Sequence, residues 1–138
     1  MTVGRVLALD PGTRRVGVAV SDPSGITAQP HSVLDAGDPD LMGQIIRLSA
    51  ELGVERIVVG LPVSLNGTEG PAAAAARRFA ATVAGATGLP VDFADERFTS
   101  VSAERVLVEA GLSGRRRRAV RDRVAAAILL QAYLDGGR

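Results

Sequence analysis

At Asp38 the hydrophobic period of this chain changes, and that change limits the folds open to it. Before it, apolar residues come in short runs closed by turn signals. Arg5 to Asp10 is an apolar run ended by Asp10-Pro11-Gly12, and Arg15 to Asp22 alternates around Val16, Val18 and Val20 before Asp22-Pro23-Ser24-Gly25. Two strands joined by so short a turn form an antiparallel hairpin. Thr27 to Leu34 adds a third strand, in which Pro30 predicts an edge position or an irregular start.

After Asp38 the spacing becomes helical. Leu41, Ile45, Leu48 and Leu52 recur at three and four residues, predicting an amphipathic helix stopped by Gly53. Arg56 to Gly60 is a continuous apolar strand of the kind buried on both faces. Leu61 to Gly70 reads as a loop with an Asn66-Gly67 turn, and Pro71 opens an Ala-rich helix running to about Ala86. Val91 to Asp95 is a strand, Ser102 to Ala110 a helix, Gly111 to Arg118 a glycine- and arginine-rich loop, and Val120 to Leu134 a final helix. The order βββαβαβαα predicts an α/β fold with a five-stranded mixed sheet flanked by helices. At 138 residues, with no internal repeat and no linker, residues 1–138 are expected to form a single domain.

Composition narrows the chemistry. There is no cysteine and one histidine, His31, so thiolate zinc sites, cysteine nucleophiles and histidine-rich metal sites are excluded. A metal in this chain is held by oxygen, which points to Mg²⁺ or Mn²⁺. The longest wholly apolar run, Val124 to Leu130, is seven residues, so no membrane association is expected. Val6 to Leu9 is too short for a secretory segment, and a cytoplasmic location is the default. All 16 basic residues are arginine, and they are unevenly placed. Residues 1–100 carry eight Arg against eleven acids, whereas residues 101–138 carry eight Arg against four.

Three groups of acids stand out. Asp10 ends a strand expected to be central, where ligand sites of open α/β sheets lie, although Asp is also common in an Asp-Pro-Gly turn. Asp122 shares a helix face with Ala125, Ala126, Leu129 and Tyr133, so its carboxylate points toward the sheet. A carboxylate kept there calls for a cation or partner, unless it serves only as a first-turn acid at the helix N-terminus. Asp95 and Glu96 close the last strand, and alternation lets only one of the two face a given site. These acids, converging on a divalent cation, would suit metal-assisted phosphodiester hydrolysis.

The stretches DPGTRRVGVAVSD, GLPVSLNGTEG, DERFTS and RDRVAAAILLQAYL, in this order, strongly resemble the YqgF-type (RuvX-like) family of Holliday junction resolvases, also described as nucleases for the 5′ end of pre-16S rRNA. The resemblance covers nearly the whole chain and implies a ribonuclease H-like fold. It implies that Asp10 is the first-strand metal ligand, Asp122 the last-helix ligand, and the Asp95-Glu96-Arg97 stretch the source of the middle carboxylate, for which Glu96 is the choice. Resolvases of this fold place a Glu just after the fourth strand, where this chain reads Gly60-Leu61-Pro62.

The expected activity is therefore that of a divalent-metal-dependent nuclease acting on precursor rRNA, or on branched DNA, as a monomer or homodimer. Its expected catalytic and metal residues are Asp10, Glu96 and Asp122. Thr13 and Arg14, with Arg15 beside them, follow Asp10 and are expected to touch a scissile phosphate, unless they are plain hairpin residues, and Arg97 and Arg115, Arg116, Arg117 and Arg118 are expected to track the nucleic acid; a charge run of this kind also occurs as plain solvated surface. The alternative is a catalytically silent RNA-binding ribosome-assembly factor of the same fold. A sugar-kinase-like phosphotransferase shares the Asp-x-Gly-Thr opening but needs roughly twice the length.

Overall fold

The computed structural model describes residues 4–64, 66–96 and 114–136. Three strands open the chain: β1 (Arg5–Pro11), β2 (Arg15–Ser21) and β3 (Ala28–Asp35). They are followed by α1 (Leu41–Leu52), β4 (Val54–Leu61), α2 (Pro71–Thr87), β5 (Val91–Asp95) and α3 (Gly114–Leu134). The five strands form one sheet in the order β3-β2-β1-β4-β5. The first three pair antiparallel, whereas β4 lies parallel to β1 and β5 parallel to β4. The meander and the two crossovers thus meet at β1, which is central, as its position between hairpin and crossover requires.

Alternation along β1 divides the core in two. Leu7 and Leu9 pack with Val16, Val18, Ile57 and Val59 against Ile45 of α1 and Val83 of α2. Val6 and Ala8 face the other way, packing with Ala19, Val58 and Ala94 against Ala126, Leu129, Leu130 and Tyr133 of α3. Both faces of the sheet are therefore covered, which explains why β1 and β4 read as unbroken apolar runs. Tyr133 is 1% exposed, and its hydroxyl donates to Asp92 Oδ2 at 2.9 Å, so the polar tip of a buried ring is satisfied.

The local signals act where they were read. Gly53 and Gly88 end α1 and α2 in the left-handed region, at φ 64° and 69°, and Pro71 sits in the first turn of α2. β3 is an edge strand whose register slips at Pro30, since Val18 pairs with Ser32 but Ala19 pairs with Pro30. Proline has no N–H to give the ladder, and the slip leaves His31 as the unpaired residue.

Two readings change. Arg115 to Arg118 belong to α3, which begins at Gly114, and so are helical. Arginine is a good helix former, and the charge run is compatible with a solvated helix; Arg116 and Arg118 are exposed. β4 extends through Leu61, and a Val63–Glu69 bridge shapes the segment that follows it. The predicted Ser102 to Ala110 helix and Arg97 lie outside the described residues. No helix among the described residues is long and apolar enough to cross a membrane.

Candidate active site

The C-terminal ends of β1 and β4 lie side by side, and the turn after β1 brings the start of β2 to the same end of the sheet. Gly12 N donates to Arg15 O at 2.8 Å, closing a turn that holds Thr13 and Arg14. Asp10 pairs with Gly17 across the hairpin and continues the Val6–Ala8 alternation, so it faces α3.

Gly17 determines how closely α3 approaches. A Cβ on Gly17 would lie 2.2 Å from the backbone oxygen of Asp122 and 3.5 Å from the Ala126 methyl. The helix backbone thus rests directly on the strand, which only glycine permits here. This close approach brings Asp122 near enough to Asp10 for the two charges to repel. Burial, with the Asp122 charge added, pushes the Asp10 carboxyl up to about 7.

Glu96 reaches the same point from β5. Its N–H donates to Leu61 O at 3.2 Å, extending the ladder by one residue beyond Asp95. Ala94 packs on the α3 side of the sheet, so alternation turns Glu96 to that side and Asp95 away from it. A Cβ on Gly60 would lie 2.6 Å from Glu96 Oε1 and 3.0 Å from Asp10 Oδ1. Gly60 therefore leaves open the space that these two carboxylates share. β4 ends in Gly60-Leu61-Pro62 without an acid, and a carboxylate comes to that place from β5 instead.

Asp122 behaves differently. Its Oδ2 accepts a hydrogen bond from Arg15 Nε, in an ion pair that leaves the two side chains 22% and 34% exposed. The structure thus brings Asp10 and Glu96 together over Gly60 and places Asp122 close to Asp10, with its carboxylate engaged by Arg15. Among the described residues, no three His, Asp or Glu side chains close around one point as a formed metal cage. The donor chemistry still suits a hard cation. Two carboxylates share one space, a third charge is nearby, and Asp10 is held near neutrality by burial and by that neighbouring like charge.

A cavity of about 340 Å³ beside this centre is lined by Gly12, Thr13, Arg14, Arg15, Arg121 and Asp122. Three guanidinium-bearing residues on one small cavity suit an anion. Thr13 and Arg14 line this cavity from the β1–β2 turn, and Arg121 joins them from α3. The role of Arg15 as the partner of Asp122 was not legible, because the two lie 107 residues apart. Gly17 carried a usable signal: an isolated glycine inside a strand marks close backbone approach.

This architecture, a meander extended by two crossovers, defines a ribonuclease H-like fold. RuvC of Thermus thermophilus matches it with a TM-score of 0.54, covering 97% of this chain and 98% of that one. A second RuvC structure, in complex with a Holliday junction substrate, matches with a TM-score of 0.53. Sequence identities of 14% and 17% limit this likeness to the fold. The chain belongs to the RuvX family, whose model, described as Holliday junction resolvase, matches residues 4–136. A protein of Syntrophomonas wolfei, described as a candidate pre-16S rRNA nuclease, is 50% identical over 134 residues, covering 96% of this chain and 95% of that protein. A protein of Moorella thermoacetica with the same description is 50% identical over 135 residues, covering 95% of this chain and 94% of its own.

Proposed function

We propose that this protein is a divalent-metal-dependent nuclease that hydrolyses phosphodiester bonds at the 5′ end of pre-16S rRNA, acting in the cytoplasm during ribosome biogenesis. The observation that carries this reading is Asp10, a carboxyl pushed up to about 7 in a space it shares with Glu96. A binding protein gains nothing from crowding acids where a phosphate must approach. An enzyme gains a charge that a cation and a reacting phosphate can use together. The names of the relatives support the substrate, and the family description keeps branched DNA as a second substrate class. RNA is placed first because relatives 50% identical over nearly the whole chain carry that description.

Mg²⁺ or Mn²⁺, held by Asp10 and Glu96 with Asp122 as the third ligand, would supply Lewis acidity for water activation and for the leaving oxygen. The remaining work belongs to the chain. Asp10 must lose its proton to bind a cation, so ligation and deprotonation are coupled near neutral pH. Arg15 holds Asp122 in an ion pair through its Nε and, with Arg14, Arg121 and Thr13, presents donors to the substrate phosphate. Arg97 and Arg115 to Arg118 would extend this binding along the strand.

The test is cleavage of a precursor rRNA 5′ end and a four-way junction side by side, with Mg²⁺, Mn²⁺ or EDTA. Cleavage of the RNA is expected with a metal and not with EDTA, and Asp10→Asn should lower it by about two or more orders of magnitude. RNA affinity in EDTA should stay similar or improve. Wild-type cleavage by Asp10→Asn, in a preparation free of host nucleases, would sink the reading in favour of a silent RNA-binding assembly factor.

A further inference from the structure

Two cavities open on the β1–β2 turn and share Gly12 and Thr13 as a common wall. One is the cavity of Arg14, Arg15, Arg121 and Asp122, which stays net cationic although Arg15 is paired with Asp122. The other is a larger cleft of about 490 Å³ that meets the chemistry described above only at Thr13 and Glu96. Its walls are apolar: Ala72, Ala75 and Phe79 of α2 on one side, Leu41 of α1 and Val16 of β2 on the other, with Glu96 at the end near Asp10.

The volume lies in the range of small-ligand sites, roughly 300–1,000 Å³. Alanines at positions 72 and 75 present a low surface one helical turn long, and Phe79 adds an aromatic ring one turn further on. The polar side chains that line it, Thr13 and Glu96, are both residues of the candidate active site. A nucleotide has the matching division, with its anionic phosphate joined through a sugar to a flat, weakly polar ring. A cationic cavity on one side of Thr13 and an apolar cleft on the other are complementary to those two parts. An apolar peptide side chain would fit the cleft alone and leave the arginine cavity unexplained.

We propose that this cleft takes one unpaired nucleobase of the cut strand, next to the phosphate held over Asp10 and Arg15. The inference rests on the nuclease reading and adds to it that the substrate is single-stranded at that position. A base in the cleft is withdrawn from pairing and packs its faces against Phe79 and the alanine surface. Such packing is sequence-tolerant, since every base has an aromatic face.

The experiment uses the full chain in EDTA and a short single-stranded RNA spanning the cleavage point, with 2-aminopurine placed at one position at a time. One position beside the scissile phosphate should change its fluorescence several-fold on binding. The same label in a duplex should not. Ala75 is exposed on α2, where leucine is nearly as good a helix former, so Ala75→Leu fills the cleft with little risk to folding. That variant, and independently Ala72→Leu, should abolish the position-specific signal and weaken binding about tenfold. The slope of log K against log salt should stay as in wild type, because the arginines still meet the phosphates. A uniform response along the RNA, or an unchanged signal in both variants that melt like wild type, overturns the proposal. If the wild type cleaves the RNA yet shows no position-specific signal, only this inference fails. If it neither binds nor cleaves RNA, the nuclease reading fails with it.

Discussion

Asp10 ties stability to pH in a direction opposite to most native carboxylates. Its folded pKa of about 7 lies above the ordinary value of 3.8, so the folded state holds its proton more tightly than the unfolded one. The stability this favours is fully present below about pH 4 and is lost as pH rises through about 7. Other acids also titrate, but Asp10→Asn removes this one contribution and keeps the size of the side chain. At pH 8 the variant should exceed metal-free wild type by roughly 2–4 kcal/mol in urea unfolding, with the difference shrinking toward zero near pH 4. Added Mn²⁺ should narrow the gap at pH 8 by stabilising the wild type alone. A pH-independent difference would show that Asp10 is an ordinary surface acid.

Among the elements, the seating of α3 on β2 and the gap at the end of β4 both depend on glycine, with different consequences. At Gly17 the obstacle to a methyl group is the Asp122 backbone oxygen, fixed in a helix that carries one half of the core. Gly17→Ala should therefore cost about 1–3 kcal/mol, measured as a lowered unfolding midpoint, and should displace Asp122 from Asp10. At Gly60 the obstacles are the ends of the Glu96 and Asp10 side chains, which can swing aside. Gly60→Ala is expected to cost under about 1 kcal/mol, yet to reduce Mn²⁺ affinity and cleavage sharply by parting the two carboxylates. Equal stability losses at the two positions would contradict this division between scaffold and site.

Over the whole molecule, charge is divided along the chain, with the arginine excess in residues 101–138. Arg115 to Arg118 form the start of α3, with no acid in its first turn. Positive charge at a helix N-terminus opposes the helix dipole by a few tenths of a kcal/mol, so the run is not there for the helix. Changing all four to Gln should leave the unfolding midpoint equal or slightly higher. RNA binding should weaken, and the log K against log salt slope should become shallower by about one for each phosphate that the chain no longer neutralises. An unchanged slope would make the run a solvated surface, as its exposure at Arg116 and Arg118 also allows.

What could be read from the sequence was what depends on neighbours along the chain. Period two and period 3.6 report which face of an element is buried, so the element order and the inward face of α3 were legible, Asp122 included. Turn residues are equally local, and they located the hairpin, the helix ends and the irregularity at Pro30. The alternatives left open at Asp95 and Glu96 needed strand register, because a shift of one residue exchanges the two faces. The ladder bond from Glu96 N to Leu61 O and the gap at Gly60 settle which of the two faces Asp10. Likewise, periodicity turned Asp122 toward the sheet but could not supply its partner. Arg15 lies on a strand near the other end of the chain, and only the close approach over Gly17 brings the two together. Local pattern encodes burial, whereas the distances between functional groups belong to the packing of elements, which exists only once the chain has folded.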